Sequence, residues 1–268
     1  MRGIFDVNVK LGQWPFRPVK GIKDLLTDMD RLHITRAAVS SLSAVHYFNP
    51  HLGNRELFTA IREYPDRFIP LACIRPNLSG WEQDFSSAIQ DLNCKGIILY
   101  PNYHHFSLLA ENTHTLVRLV GSHKVPVFIQ MGLEDTRRQF DRPPIADVPV
   151  DTVSSLVDQH PQTTFVILGA KCGQIEQLPS PLPSNLFFDI SNYEKSGEIE
   201  YAVDQLGCDR ILFGTNFPLF NMMANILKLQ RADIASSVRE RIAHENAEKL
   251  FSLTQKTEEQ QRSQATGL

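Results

Sequence analysis

The sequence predicts an α/β protein that forms one (β/α)8 TIM barrel, and three features carry that prediction. Eight apolar runs of strand length recur along the 268 residues. The runs are continuous rather than alternating, as expected for parallel strands that are covered by helices on both faces. Segments with helical spacing separate them, and eight strand–helix units over roughly 250 residues are typical of such a barrel.

The elements follow in order from the N-terminus. Strands are predicted at Ile4–Val9, Arg36–Ser40, Phe68–Ile74, Gly96–Tyr100, Val127–Met131, Phe165–Gly169, Leu186–Ile190 and Ile211–Gly214. After the first strand, one helix face is formed by the spacing of Ile22, Leu25, Leu26, Met29 and Leu32. Similar patterns predict helices at Asn54–Tyr64, Trp81–Leu92, Thr113–His123, Asp151–Gln159 and Ile199–Leu206, and a closing helix from about Ala235 to Leu253. An open doubly wound sheet is the alternative, but no Gly-rich phosphate loop follows the first strand.

The same pattern divides the chain into one domain and a tail. Residues 1–253 carry the strand and helix signals, and no linker separates them into two units. Residues 254–268, TQKTEEQQRSQATGL, contain no aromatic residue and few aliphatic ones. Such a segment has too little apolar surface to bury, so we predict a disordered polar tail.

Composition restricts the partners. The net charge of −3 and the lack of a basic run argue against nucleic acid, and no apolar stretch reaches the roughly 20 residues of a membrane helix. No signal-peptide pattern precedes the first strand, so we expect a cytoplasmic protein whose partner is a small-molecule ligand. A homo-oligomer that pairs through outer helices stays an open alternative. The four cysteines lack metal or disulfide spacing and are predicted to be buried thiols.

Candidate site residues lie at the predicted C-terminal ends of the strands, where barrels of this type bind their substrates. The first strand supplies Asp6, Asn8 and Lys10, which stand two apart and should therefore share one face. A run of mixed charge from Glu134 to Arg142 follows the fifth strand and is predicted to be a solvated loop. The alternative is a lid whose arginine binds a carboxylate.

Four motifs together resemble the amidohydrolase-related proteins of the amidohydrolase superfamily, the metal-dependent hydrolases of the TIM-barrel fold. DVNVKLG is similar to the D-x-H-x-H-x-G opening of that family, and KGIILYPNYHHFSL to its fourth-strand segment. RILFGTNFPLF is similar to its eighth-strand G-T-D-x-P, and ERIAHENAEKLFSL to its closing helix. The resemblance extends from about Ile4 to Leu253 and implies a barrel with a metal-assisted hydrolytic or decarboxylating site.

The resemblance also implies metal ligands that this chain lacks. Family members with a metal hold it with two histidines of strand 1, one each of strands 5 and 6, and an aspartate of strand 8. The matching positions hold Asn8, Lys10, Gln130, Gly169 and Asn216, none of which is a good ligand for zinc. FDVNV, GQWPFRP and NPHLGNREL resemble a subgroup with a degenerate metal site. We therefore assign no metal ligand and leave the cofactor unknown, with a site rebuilt from His46, His104, Asp189 and Asp6 as the open alternative.

The remaining polar residues are given roles. The catalytic candidates are Lys10, His104 and Asp6. Burial lowers the pKa of a lysine, so Lys10 could act as a base or as a Schiff-base nucleophile. The alternative is an Asp6–Lys10 ion pair that only fills the former metal site. The predicted substrate-binding residues are Asn8, Trp14, His46, Tyr100, His105, Gln130 and Asn216.

Two functions stay open at this point. The first is an amidohydrolase-like hydrolase, or a decarboxylase-type lyase, that acts on a small acidic organic molecule. The second is a non-catalytic barrel that binds a small molecule or a partner subunit through the former active site. The assignment as a hydrolase rests on analogy with the fold alone, so the residues of the site must decide between the two functions.

Overall fold

A computed structural model describes residues 3–139 and 143–253 of the chain. The predicted tail, 254–268, lies outside the described residues. The strands are β1 (Ile4–Leu11), β2 (Ile34–Ser41), β3 (Phe68–Pro70), β4 (Ala72–Cys73), β5 (Ile97–Leu99), β6 (Val127–Gln130), β7 (Phe165–Leu168), β8 (Leu186–Asp189) and β9 (Ile211–Leu212). Leu71 separates β3 from β4, which together form the third barrel strand. Each strand begins within two residues of its predicted start.

The strands close into a parallel barrel in sequence order. Every paired strand is parallel to its neighbour, from β1 to β3 and from β4 to β9. The Leu71 amide, between β3 and β4, donates to the Val39 carbonyl of β2 at 2.9 Å. This hydrogen bond continues the pairing from the first group of strands to the second. The seam between the first and last strands is closed by the Val7 amide, which donates to the Phe213 carbonyl at 2.9 Å. The predicted (β/α)8 barrel is confirmed.

Helices cover the outside of the barrel. They are α1 (Ile22–Arg31), α2 (Pro50–Ile61), α3 (Trp81–Gln90), α4 (Pro101–His104), α5 (Glu111–Ser122), α6 (Val150–Gln159), α7 (Cys172–Ile175), α8 (Glu198–Leu206), α9 (Met222–Arg231), α10 (Ser236–Glu240) and α11 (Asn246–Leu250). The sequence analysis missed α4, α7 and α9. The predicted closing helix is interrupted, because a π-helical turn, Arg241–Glu245, lies between α10 and α11. None of the helices in the described ranges is long and apolar enough to cross a membrane.

Two apolar clusters hold the fold together. One lies between the strands and the helices and includes Leu25, Ile97 and Leu229. The other fills the barrel itself, where Phe251 stacks on Phe5 at 5.5 Å and on Phe128 at 6.1 Å between ring centroids. These three rings occupy the N-terminal end of the barrel, so its buried polar residues gather at the opposite end. All four cysteines are free, and Cys208 is half-buried rather than buried as predicted.

The first strand contains a register shift that the sequence analysis did not anticipate. Asp6 pairs with Ala37, which packs between sheet and helices, whereas Lys10 pairs with Ser40, whose hydroxyl lies 3.1 Å from the Tyr100 hydroxyl inside the barrel. The shift occurs between Asp6 and Val9 and acts as a β-bulge, which reverses the facing of the residues before it. The predicted shared face of Asp6, Asn8 and Lys10 is therefore wrong for Asp6.

Candidate functional site

The centre of the candidate site is the Lys10 ammonium. Lys10 has no solvent-exposed surface. Its Nζ donates hydrogen bonds to Asn8 Oδ1 and, at 2.9 Å, to Asn216 Oδ1. Burial lowers the pKa of Lys10 to about 7, although the charges of Asp189 and Asp6 favour the ammonium. The lysine is thus held by two neutral amides at a pKa where both protonation states are populated near neutral pH.

Both amides are fixed by contacts on their far sides. Asn8 Nδ2 donates to Asp189 Oδ2 at 2.7 Å and to Ser191 Oγ at 3.2 Å. Asn216 Nδ2 donates to the Leu133 carbonyl at 2.8 Å. With their nitrogens engaged in this way, both amides present their oxygens to Lys10. Asn216 adopts a φ of 55°, and asparagine tolerates this left-handed conformation better than most residues.

Asp6 does not pair with Lys10. Its Oδ1 accepts from the backbone amides of Asn8 and Thr215, both at 3.0 Å, and its Oδ2 accepts from Thr215 Oγ1 at 2.5 Å. Burial raises the pKa of Asp6 to about 6, against the effect of these hydrogen bonds. The predicted Asp6–Lys10 ion pair is wrong, because the register shift turns the carboxylate toward the seam, where it joins the first strand to the segment after β9.

The carboxylate nearest to the Lys10 cluster is that of Asp189, at the end of β8. Its Oδ1 accepts from the Gly169 amide at 2.7 Å, while its Oδ2 accepts from Asn8. Burial raises the pKa of Asp189, which the Asn8 and Gly169 hydrogen bonds and the Lys10 charge oppose. The backbone at Gly214 packs against this carboxylate, since a Cβ there would lie 2.2 Å from Asp189 Oδ2. Asp189, Ser191 and Thr215 all lie at or just after the C-terminal ends of predicted strands, but only the structure shows which partner each one takes.

The residues at the family's ligand positions do not fit a divalent metal. The Asn8 and Asn216 oxygens accept from Lys10, whose ammonium brings positive charge to the position of a cation. Gly169 has a φ of 66°, and a Cβ there would lie 2.6 Å from the Gly132 carbonyl oxygen, so no ligating side chain fits. Within the described ranges no three His, Cys, Asp or Glu residues come together as a metal site. The rebuilt site of His46, His104, Asp189 and Asp6 is accordingly not formed.

Two further predicted residues lie inside the barrel with unsatisfied acceptors. His104 ends α4 and is almost fully buried; its Nε2 lies 3.1 Å from the Ala44 carbonyl, to which it donates. Burial lowers the pKa of His104 to about 4, which keeps the ring neutral and leaves Nδ1 as an acceptor. Gln130 Nε2 donates to the Gly132 carbonyl at 2.8 Å. His104 Nδ1 and Gln130 Oε1 have no hydrogen-bond partner among the described residues.

Aromatic and charged side chains cover the C-terminal mouth of the barrel. Trp14 packs on His46 with 4.7 Å between ring centroids. The Trp14 Nε1 donates to Glu134 Oε1 at 3.1 Å, and Arg17 pairs with the same oxygen at 3.0 Å. Glu134 is 6% exposed, so the prediction of a solvated loop is wrong at this residue. The loop after β1 is thereby attached to the loop after β6.

The structure brings most of the predicted residues to this end of the barrel, but not all of them. His105 is exposed, with a φ of 52°, and its carbonyl accepts from Asn77 on the surface. It follows His104 directly, and the left-handed turn directs the two side chains differently. The Asp135–Arg137 ion pair beyond Glu134 is solvent-accessible at its arginine, as predicted for that part of the run; residues 140–142 of the run lie outside the described residues.

Comparison with known proteins supports the fold. No protein-family model matches the chain, and no functionally curated protein matches its sequence. A dihydroxybenzoic acid decarboxylase from Polaromonas sp. JS666, solved with bound manganese and 2-nitroresorcinol, is 16% identical with a TM-score of 0.75, over 95% of this chain and 98% of that one. The 5-carboxyvanillate decarboxylase from Sphingomonas paucimobilis is 13% identical with a TM-score of 0.73, over 94% and 99%. A proposed amidohydrolase from Staphylococcus aureus is 14% identical with a TM-score of 0.71, over 93% and 99%.

These similarities extend over nearly the full length of both partners in each comparison. The identities are low, so they establish the fold and leave the chemistry to be argued from the site. The chain shares its TIM-barrel fold with these decarboxylases, and Lys10 stands where the sequence resemblance places a metal ligand.

Proposed function

We propose that this protein is a metal-independent lyase of the decarboxylase type that acts on a small acidic molecule, with the Lys10 ammonium in place of a divalent cation. The observation that carries the proposal is the position of Lys10 Nζ between the oxygens of Asn8 and Asn216. These are the positions from which the resembled family holds its metal. A fixed cation there supplies an electrostatic anchor for a carboxylate or phenolate oxygen.

The same ammonium is a suitable proton donor for decarboxylation. When the bond between the substrate carbon and its carboxylate breaks, carbon dioxide leaves and the electron pair stays on carbon. That carbon takes a proton from Lys10, and the neutral amine regains one from water, so the net reaction consumes one proton. Because burial brings the pKa of Lys10 to about 7, proton loss and regain are both accessible near neutral pH.

The surroundings of Lys10 favour a small aromatic acid as the substrate. The Tyr100 ring packs against His104 with 6.0 Å between ring centroids, and His104 Nδ1 and Gln130 Oε1 are buried acceptors without a partner among the described residues. These acceptors match hydroxyl groups on an aromatic ring. The decarboxylases with the same fold act on 5-carboxyvanillate and dihydroxybenzoates, which carry such hydroxyl groups beside a carboxylate.

One observation favours the second candidate, a non-catalytic barrel. Lys10 has no exposed surface, and the Trp14–Glu134 contact closes the mouth above it. A substrate therefore reaches Lys10 only after the loops after β1 and β6 separate. A barrel that keeps these loops closed would use Lys10 purely as a structural replacement for a metal.

The test is turnover by chelator-treated protein. The full chain, dialysed against EDTA, is incubated with 2,6-dihydroxybenzoate and 5-carboxyvanillate, and carbon dioxide release is measured. We expect release that Lys10→Met abolishes and that Lys23→Met, the loss of an exposed lysine on α1, leaves unchanged. Binding of these acids without release by any of the three proteins supports the non-catalytic barrel. Release that requires added manganese refutes the replacement of the metal by Lys10.

A further inference from the structure

A cavity lies at the N-terminal end of the barrel, at the opposite end from Lys10. Its volume is about 830 Å³, within the roughly 300–1,000 Å³ range of small-molecule sites. The apolar part of its wall is formed by Phe58 and Phe68 and by the chain end at Leu250, Phe251 and Leu253. Phe58 and Phe251 are only half-buried, so the cavity presents ring surface that no described residue covers.

The rim of this cavity is strongly basic. Arg55, Thr59 and Arg62 stand four and three residues apart and line it from one side of α2 and the turn after it. Lys95 and Lys124, which precede β5 and β6, line it from the barrel. These four cations face a single lining carboxylate, Asp91, which accepts from Ser87 Oγ at 2.7 Å.

Three of the four cations lack a counter-ion in the described part of the chain. Arg55, Arg62 and Lys124 form no ion pair with any described residue. The chain as a whole carries a net charge of −3, so this rim is a positively charged patch on a protein whose overall charge is negative. Like charges brought together at one rim repel, and an anion placed among them relieves that repulsion.

We propose that this cavity binds a small amphipathic carboxylate, with the apolar body against Phe58 and Phe251 and the carboxylate at Arg62 and Lys124. The proposal does not depend on the function assigned to Lys10, because the two sites lie at opposite ends of the barrel. In this fold the catalytic site lies at the C-terminal end. A ligand at the N-terminal end is therefore an effector or a stabilising ligand rather than a substrate.

The test compares decanoate with decanol by isothermal titration calorimetry on the full chain. The two probes share an apolar body and differ in the carboxylate. We expect decanoate to bind at least tenfold more tightly than decanol, a difference of about 1.4 kcal/mol. Raising the salt concentration should weaken decanoate binding and leave decanol binding unchanged, because only the former depends on the rim charges.

Variants locate the binding site. Arg62→Met with Lys124→Met removes two rim cations, and Lys23→Met with Lys195→Met removes two exposed lysines elsewhere, so the two double variants have the same net charge. We expect at least a tenfold loss of decanoate affinity in the first and none in the second, with unchanged far-UV circular dichroism in both. Equal binding of decanoate and decanol, or equal affinity in both double variants, overturns the proposal. The salt comparison on the unmodified chain keeps the proposal testable if the rim variant does not fold.

Discussion

Replacing Lys10 with methionine should change how stability depends on pH. Lys10 has a pKa of about 7 in the folded protein against 10.5 when unperturbed. Between these two values the unfolded chain binds more protons at this residue than the folded chain does. Stability therefore rises with pH across this window, and the cost of burying the ammonium is fully present below pH 7.

The magnitude follows from the shift. One pH unit corresponds to about 1.4 kcal/mol for each proton that differs between the two states. From pH 8 to pH 9.5 the folded residue is almost fully neutral and the unfolded one almost fully charged. The unmodified protein should thus gain about 2 kcal/mol of unfolding free energy over this interval relative to Lys10→Met.

The assay is urea unfolding at pH 8 and pH 9.5, followed by circular dichroism. Methionine removes the titrating group but also leaves the Asn8 and Asn216 oxygens without a donor. That loss does not vary with pH, because amides do not titrate in this range, so it cancels in the comparison. Lys23→Met is the control and should follow the unmodified protein. Parallel pH curves for the unmodified protein and Lys10→Met would refute the assigned pKa and with it the proton-transfer role.

Three further predictions follow. Gly214→Ala places a Cβ 2.2 Å from Asp189 Oδ2 and should cost more than about 2 kcal/mol in urea unfolding, whereas Gly173→Ala meets nothing within 4 Å; equal costs would contradict the close approach. Glu134→Gln should lose about 1–3 kcal/mol and increase chymotryptic cleavage after Phe16, which precedes Arg17, because the buried carboxylate holds both Arg17 and Trp14. The matched change Glu111→Gln, in an exposed pair with Arg118, should leave the unfolding free energy almost unchanged, because solvent screens exposed ion pairs; a similar loss in both variants would argue against the loop attachment. Iodoacetamide should alkylate half-buried Cys208 before Cys73, whose pKa burial raises, with mass spectrometry as the readout; early labelling of Cys73 would show that the barrel opens readily.

The fold could be predicted from the sequence because its signals are local and repeated. Each element buries apolar side chains at its own spacing, so each can be recognised independently of the others. Examples are the continuous apolar run Gly96–Tyr100 and the helix face of Leu25 and Met29. Helix α9 was missed: the segment between the last predicted strand and Ala235 was assigned to no element, although Met222, Ile226 and Leu229 are buried at helical spacing. The π-helical turn at Arg241–Glu245 has no local signal of comparable strength.

The sequence predicted which residues lie in the candidate site, but not which of them contact one another. The rule that barrel sites lie at strand ends identified Lys10, Asn8 and Asn216, and the structure places all three in contact. Which carboxylate faces Lys10 depends on which side chains of β1 point into the barrel. One extra residue between Asp6 and Val9 reverses the facing of the side chains before it. Periodicity assumes an unbroken register, so the sequence favoured Asp6 where the structure places Asn8 between Lys10 and Asp189.

The seam at Asp6 has a consequence for the synthesis of this protein. The carboxylate takes two of its three hydrogen bonds from Thr215, which lies 209 residues further along the chain. A nascent chain on the ribosome therefore holds β1 as an open edge, with its carboxylate incompletely satisfied, until the segment after β9 has emerged. Until then the sheet has an exposed edge at β1, which is the kind of surface that pairs with other chains.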